Sequence, residues 1–309
     1  MTPSLSMVLA TDTEETIRAV VEHLRKQTRK EEIEIVLVSP VAIPMARKYE
    51  AEFAGIRVVT NAVESLAEAR AAGVRSAMAP LVFIGETHSF PDAEFADRTI
   101  AAFGEPQWSI VVPALRNGNP EGVLSWSGFL CDYGAWAEEL PKGESVVVPV
   151  YNATFRRDLL LTLGEHLALA LDQSDHLAQA LHRSKRRALF LPSTHVNHVN
   201  TRQPWQWVRN RFFGGALIAA NRSRTWPFWR RLIFAGGAFL VPFVLWPRMR
   251  DGVRARAVRG PAGTMVLVML SLALRGAGET LGYAGCFTRK AEAAMLDVEL
   301  HKLRYAERR

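Results

Sequence analysis

The sequence predicts an α/β protein: a mostly parallel sheet flanked by helices, followed by a C-terminal helical region that associates with a membrane. Three observations carry this. Strand-length apolar runs alternate with helix-periodic stretches through the first 115 residues. One run, residues 81–84 within APLVFIGETHSFP, stops at a glycine followed by acid, hydroxyl and imidazole, and ligands of open α/β sheets bind beyond the carboxyl ends of the strands. From about Arg202 onward, Trp, Phe and Arg cluster around two apolar runs.

In order, residues 6–10 predict a first strand, and Thr11-Asp12-Thr13-Glu14 has the S/T-x-x-E form of a capping box that opens a helix. Ile17, Val20, Val21 and Leu24 give that helix one apolar stripe. Residues 33–38, IEIVLV, predict a second strand ended by Ser39-Pro40, completing a unit of crossover length. A short third strand is expected at 57–59 and an Ala-rich helix from 61 or 62 to about 78, before the strand at 81–84.

Residues 109–115 predict a further strand, and the Gly, Asn and Trp-rich stretch from Arg116 to Gly128 predicts a loop whose Trp126 could form a binding wall. Further strands are expected at 146–150 and 188–191, with a helix near 175–183 between them. Pro192 is expected to start a turn carrying His195 and His198. In extended chain, side chains three residues apart face opposite ways, so at most one of these histidines points into a site.

The composition, 49% hydrophobic and 22% charged over 309 residues, excludes disorder and allows one large core plus an appendage. Cys131 and Cys286 lack metal or redox spacing, and residues 7–10 are too short for a signal-peptide core. A reducing compartment and a cytoplasmic start are expected. The net charge of +7 is concentrated between Arg222 and Arg259, where nine arginines face one acid, Asp251, beside apolar and Trp-rich sequence. That pairing suits an anionic membrane surface. There is no zinc-finger spacing and no RNA-binding aromatic motif, so nucleic acid is not an expected partner.

The apolar runs at 232–246 and 265–274 number 15 and 10 residues. Neither reaches the about 20 that span a bilayer. Helices lying in the interface or dipping into one leaflet are expected, with a buried helical subdomain, a re-entrant hairpin and a tilted span as the alternatives. The expected division is 1–204 for the α/β domain and 205–309 for the helical region.

Glu86 and His88 sit two residues apart at the strand end and could share a divalent cation, with oxygen ligands suiting Mg2+ and an imidazole favouring Mn2+. Taken in order, SMVLATDTEETIRAVVEHLRKQT, then Ala69-Arg70-Ala71-Ala72-Gly73 before APLVFIGETHSFPD, then NATFRRDLL, then LFLPSTHVNHVN resemble the family 2 glycosyltransferases, whose nucleotide-sugar-binding domain has the Rossmann-like GT-A fold. The resemblance covers residues 6–200.

It implies a nucleotide-sugar donor held near Thr11, Ser39, Arg70 and Gly73, and a metal, Mn2+ or Mg2+, on Glu86, His88 and His198. Glu86-Thr87-His88 stands where the family has Asp-x-Asp, and Ser39-Pro40 where it has an acid. The general base falls to Asp175 first, with Asp172 and His176 nearby. Asn117, Trp126 and Asn152 are expected on the sugar or acceptor side. The implied reaction is an inverting displacement onto a lipid-linked or glycan hydroxyl at the cytoplasmic face of the cell membrane, in cell-envelope chemistry, by a peripheral or monotopic protein. A GT-A domain kept as a scaffold or sensor is the alternative. A nucleotidyltransferase is less favoured, because the loop after the first strand has neither glycine nor lysine.

Overall fold

The computed structural model describes residues 2–137, 141–145, 147–172, 174–247 and 260–307, without the side chains of 174, 175, 182 and 184. The chain forms two compact units that are not consecutive segments. One is Met1–Arg116 with Leu140–His198, the other Asn117–Glu139 with Val199–Arg309.

The first unit is built on nine strands: β1 Leu5–Ala10, β2 Ile33–Ser39, β3 Gly55–Thr60, β4 Leu81–Ile84, β5 Ser89–Pro91, β6 Trp108–Asn117, β7 Gly143–Glu144, β8 Ala153–Arg156 and β9 Arg187–His198. They form one sheet in the order β3-β2-β1-β4-β8-β6-β9-β5, with β7 also on β9. The pairs β1/β2, β2/β3 and β1/β4 are parallel, whereas β4/β8, β6/β8, β5/β9 and β7/β9 are antiparallel. The sheet is therefore mixed, where mostly parallel pairing was expected. Strand and helix alternation is a local pattern, and the direction in which a distant strand returns is not encoded in it.

Every residue of β1, β2 and β4 is buried, as parallel strands covered on both faces require. The first helix, Glu14–Leu24, buries the predicted stripe, but its N-cap is Thr13, whose hydroxyl accepts from the Thr16 amide. The capping box expected to start at Thr11 is displaced because Thr11 Oγ1 donates to the Thr13 carbonyl and Asp12 accepts from the Thr16 hydroxyl. The Ala-rich helix is Leu66–Ser76, shorter than expected at both ends: Ser65 caps its start and Ala77 turns extended at φ −62, ψ 144.

Strand β9 runs straight through Pro192 to His198, where a turn was expected. Proline lacks only a donor. Residue 192 falls between the register with β7 at Leu189 and Phe190 and that with β5 at Val196 to His198, so neither of those two pairings needs its amide. The strand expected at 146–150 is absent at 147–150, with Val146 outside the described residues, and the chain next pairs at Ala153–Arg156.

The second unit is helical: Val123–Tyr133, Pro204–Arg222, Phe228–Pro247, Thr264–Tyr283 and Thr288–Ala306. Trp126, expected in a loop, lies in the first of these. Gly122 at φ 99 turns the chain, and the apolar VLSWSGFLCDY that follows sustains a helix despite its Gly and Ser. Helices 204–222 and 264–283 cross at backbone contact. A Cβ on Gly278 would lie 1.9 Å from the Phe212 carbonyl, and one on Gly282 2.2 Å from that of Ala216.

Helices Phe228–Pro247 and Thr264–Tyr283 are each 20 residues long, sufficient in length and composition to cross a bilayer. This corrects the lengths read from the apolar runs alone. Phe228 to Arg231 extend the first helix, and Arg275 to Tyr283 the second, past where the apolar run stops.

Candidate functional site

Parallel pairing of β1 with β2 and β4 brings their carboxyl ends to one edge of the sheet, with Ala10 beside Val38 and Val8 beside Ile84. Thr11 follows β1, Ser39 ends β2 and Glu86 follows β4, so three of the sequence-predicted residues share that edge. Thr11 and Ser39 are both fully buried. The Ser39 hydroxyl accepts from the Val41 amide at 3.2 Å, shaping the turn in which the acid is missing.

Glu86, His88 and His198 converge. Nε2 of His88 lies 3.7 Å from Glu86 Oε2 and Nε2 of His198 lies 3.6 Å from it. Those separations are long for hydrogen bonds but suit three groups facing one point. The candidate ligand atoms all fall within 4.8 Å of one another. The two imidazoles stand edge to face at 4.8 Å between centroids, and the side chains are 0–1% exposed.

β5 and β9 create this meeting, because Ser89 pairs opposite His198 and thereby carries the second histidine to the first. Thr87 Oγ1 lies 3.4 Å from His88 Nδ1, on the far side of that ring.

The carboxylate itself is oriented by two donors. Ser89 Oγ donates to Glu86 Oε2 at 2.9 Å, and Asn152 Nδ2 donates to the same oxygen at 2.5 Å. Asn152 holds the left-handed backbone at φ 59, a conformation asparagine tolerates, and its amide donates to the Ile84 carbonyl at 2.7 Å. Expected on the sugar side, Asn152 instead braces the carboxylate of the trio. Ser89 was not singled out in the sequence, although it lies in the stretch that carries Glu86.

Arg70 is 95% buried, with its guanidinium 4.6 Å from the Tyr151 ring and its Nε without a hydrogen bond. A buried cation stacked on an aromatic ring gains only part of what it loses in water. Tyr151 precedes Asn152, so two adjacent residues link Arg70 to the Glu86 trio. Gly73, on the same helix, packs over the sheet: a Cβ there would lie 2.4 Å from Val8 Cγ1 and 3.1 Å from Val38 Cγ2.

His195 points away from the trio, as the strand period requires. Its Nδ1 lies 3.2 Å from Asp92 Oδ2, and its Nε2 lies 2.9 Å from Arg116 Nη2. Asp175 lies in helix Ser174–Ser184, and its side chain is outside the described residues. Asp172 ends the preceding helix, Leu167–Asp172.

Asn117 and Trp126 belong to the second unit. Asn117 Oδ1 accepts from Ser125 Oγ and Asn200 Nδ2, both at 2.9 Å, in a network that also joins Asn119. Trp126 stands edge to face on Phe129, its centroid 5.9 Å away.

The trio's composition fits a divalent metal. One carboxylate and two imidazoles suit Mn2+ and related ions better than Mg2+, which demands oxygen. The donors on Oε2 supply the outer shell that such sites use to fix a ligand.

No protein-family model and no curated protein matches the sequence. Among solved structures, the mannosyltransferase PcManGT from Pyrobaculum calidifontis, in complex with GDP-Man and Mn2+, is similar at a TM-score of 0.53 and 17% identity. The match covers 98% of this chain and 88% of that one.

GalNAc-T7 with UDP, GalNAc and Mn2+ gives a TM-score of 0.48 at 14% identity, covering 63% of this chain and 43% of that chain, less than half its length. S. aureus TarS 1–349 with UDP gives 0.46 at 14% identity, covering 94% and 91%. The last two scores add no weight. The first gives this chain the mixed α/β fold of a GT-A-type glycosyltransferase.

Proposed function

We propose that the chain is a metal-dependent glycosyltransferase, of the family 2 kind, that moves a sugar from a nucleoside-diphosphate donor to a hydroxyl acceptor. The observation that carries this is the convergence of Glu86, His88 and His198 at the carboxyl end of β4, in a fold similar to that of a mannosyltransferase.

Glu86, His88 and His198 would hold Mn2+ in preference to Mg2+, and such an ion offsets charge on a phosphate leaving group. Asn152 and Ser89 keep the carboxylate aimed, and Arg70 presents a positive charge on the nucleotide side together with Thr11 and Ser39. Asp175 is the proposed base, taking the proton of the acceptor hydroxyl as the sugar transfers with inversion. The acceptor is a lipid-linked or glycan hydroxyl at the cytoplasmic face of the membrane, which the exposed apolar helix of the second unit favours.

The test is calorimetric binding of UDP, GDP and their sugar conjugates with and without Mn2+. GDP-Man is the first donor to try, since PcManGT was solved with it. Metal-dependent binding that Glu86→Ala and His198→Ala each weaken at least tenfold is the expected result. No nucleotide binding by a folded sample overturns it.

A second reading, a GT-A scaffold or sensor without chemistry, is favoured by the burial of the trio, because the residues that cover it would have to move before a diphosphate could reach a metal held there. Metal binding without any nucleotide response would select it.

A further inference from the structure

One face of helix Phe228–Pro247 is apolar and exposed. Phe228, Trp229, Ile233, Phe239 and Phe243 are each more than 60% exposed. The opposite face packs inward through Ala235, Ala238 and Pro242. An isolated exposed leucine needs no explanation, but a contiguous aromatic face along a 20-residue helix does. A helix that packs on its own unit along one side and offers bulky apolar groups along the other has the form of one lying in a membrane interface.

The start of this helix borders an open pocket of about 200 Å³ lined by Ala220, Asn221, Arg224, Arg231 and Thr288. Arg231 Nε donates to the Tyr283 carbonyl at 2.9 Å and Arg224 Nη2 donates to Asn221 Oδ1 at 3.2 Å, which fixes both guanidinium groups at the rim. Among the described residues neither forms an ion pair with a carboxylate. Thr288 opens helix Thr288–Ala306, whose N-cap, Phe287, offers no capping side chain.

The first turn of that helix carries Arg289 and Lys290 and no acid. Cations at the positive end of a helix dipole are unfavourable unless an anion joins them. The pocket lining therefore holds two arginines and Thr288 at the start of a helix whose first turn is basic, and no acid.

We propose that this pocket receives the headgroup phosphate of an anionic phospholipid while the exposed face of helix Phe228–Pro247 enters the acyl region of one leaflet. The charge supports a bilayer as the occupant: Arg222, Arg224, Arg230 and Arg231 stand just before or within the first turn of the helix in sequence, and five more arginines against one acid follow it. Trp229, on the exposed face, supplies an aromatic group that favours the headgroup level. The proposal deepens the membrane part of the reading above and does not depend on the sugar chemistry.

The test is sedimentation of the full chain with vesicles of phosphatidylcholine alone and with 30% phosphatidylglycerol, a composition of order tens of per cent anionic lipid. Binding to the anionic vesicles only is expected. Arg224→Gln with Arg231→Gln should weaken it about 25-fold, at about fivefold per charge, and Phe239→Ser with Phe243→Ser should weaken it to a similar or greater extent.

A folded wild type that ignores anionic vesicles overturns the proposal, as does binding unchanged in the double arginine variant. A dimer seen by light scattering that Phe239→Ser with Phe243→Ser dissolves, with no vesicle binding, would assign the face to a second copy and overturn it too. Competition by millimolar inorganic phosphate as strong as by vesicles would reduce the site to a free-phosphate pocket. Nucleotide calorimetry on the same samples separates failure of this proposal from failure of the transferase reading.

Discussion

At the Asn152 position, one amide nitrogen meets the same Glu86 oxygen that Ser89 reaches. Asn152→Ala removes that donor and places alanine at φ 59, whereas Asn152→Gly removes the donor without strain. If the trio holds Mn2+ as proposed, both variants should lose Mn2+ affinity by about 10–100-fold in calorimetry, the usual cost of an outer-shell partner. Only the alanine variant should also unfold at lower denaturant.

Cys131 offers a second residue-scale test. Burial pushes its thiol up to about 11, so at pH 8 on the order of one molecule in a thousand carries the thiolate. Cys286 is exposed. Alkylation of the native protein at pH 8 should label Cys286 rapidly and Cys131 at least tenfold more slowly, with mass spectrometry of the digest identifying the site.

The elements differ in what holds them. Helix Glu14–Leu24 is anchored at its start by Thr13, and Thr13→Ala should cost about 1 kcal/mol in chemical denaturation. Helices Pro204–Arg222 and Thr264–Tyr283 are held by close backbone approach, as in small-residue helix crossings. A valine at Gly278 would drive its Cβ into the Phe212 carbonyl, where no side chain can give way. Gly278→Val should therefore cost about 3 kcal/mol or more, read as loss of helical signal at a lower denaturant midpoint. In the sequence these glycines stand past the end of the apolar run, among Arg275, Glu279 and Thr280, where nothing marks them as a packing face.

Across the whole molecule, several carboxylates are held below their ordinary range. The Tyr49 hydroxyl and then Arg25 lower Glu22, the Ser4 hydroxyl and then Arg29 lower Glu32, and Arg25 and then Lys30 lower Glu52. Burial alone would raise Asp132, but the charge and paired hydrogen bonds of Arg211, at 2.6 and 2.7 Å, bring it down. A carboxyl lowered on folding stabilises the folded state above its unfolded pKa and loses that contribution as pH falls through the folded value. Stability should thus hold above about pH 4.5 and decline below it. Denaturation midpoints at pH 6.5 and 3.5 measure the decline, and Glu32→Gln should reduce it. These groups are partly exposed, and salt should shrink their share.

Local pattern in the sequence was enough for the strands around the site edge, for the apolar stripe of the first helix, and for Glu86-Thr87-His88 at the end of β4, because each depends on neighbours a few residues away. Strand periodicity likewise separated His195 from His198. Tertiary structure alone decided what meets what. It set Ser89 opposite His198, turned Asn152 onto Glu86, carried β9 through Pro192, and made half the sheet antiparallel. Those outcomes depend on pairing between segments up to about a hundred residues apart, where register is set by packing of the whole sheet and not by any stretch of sequence.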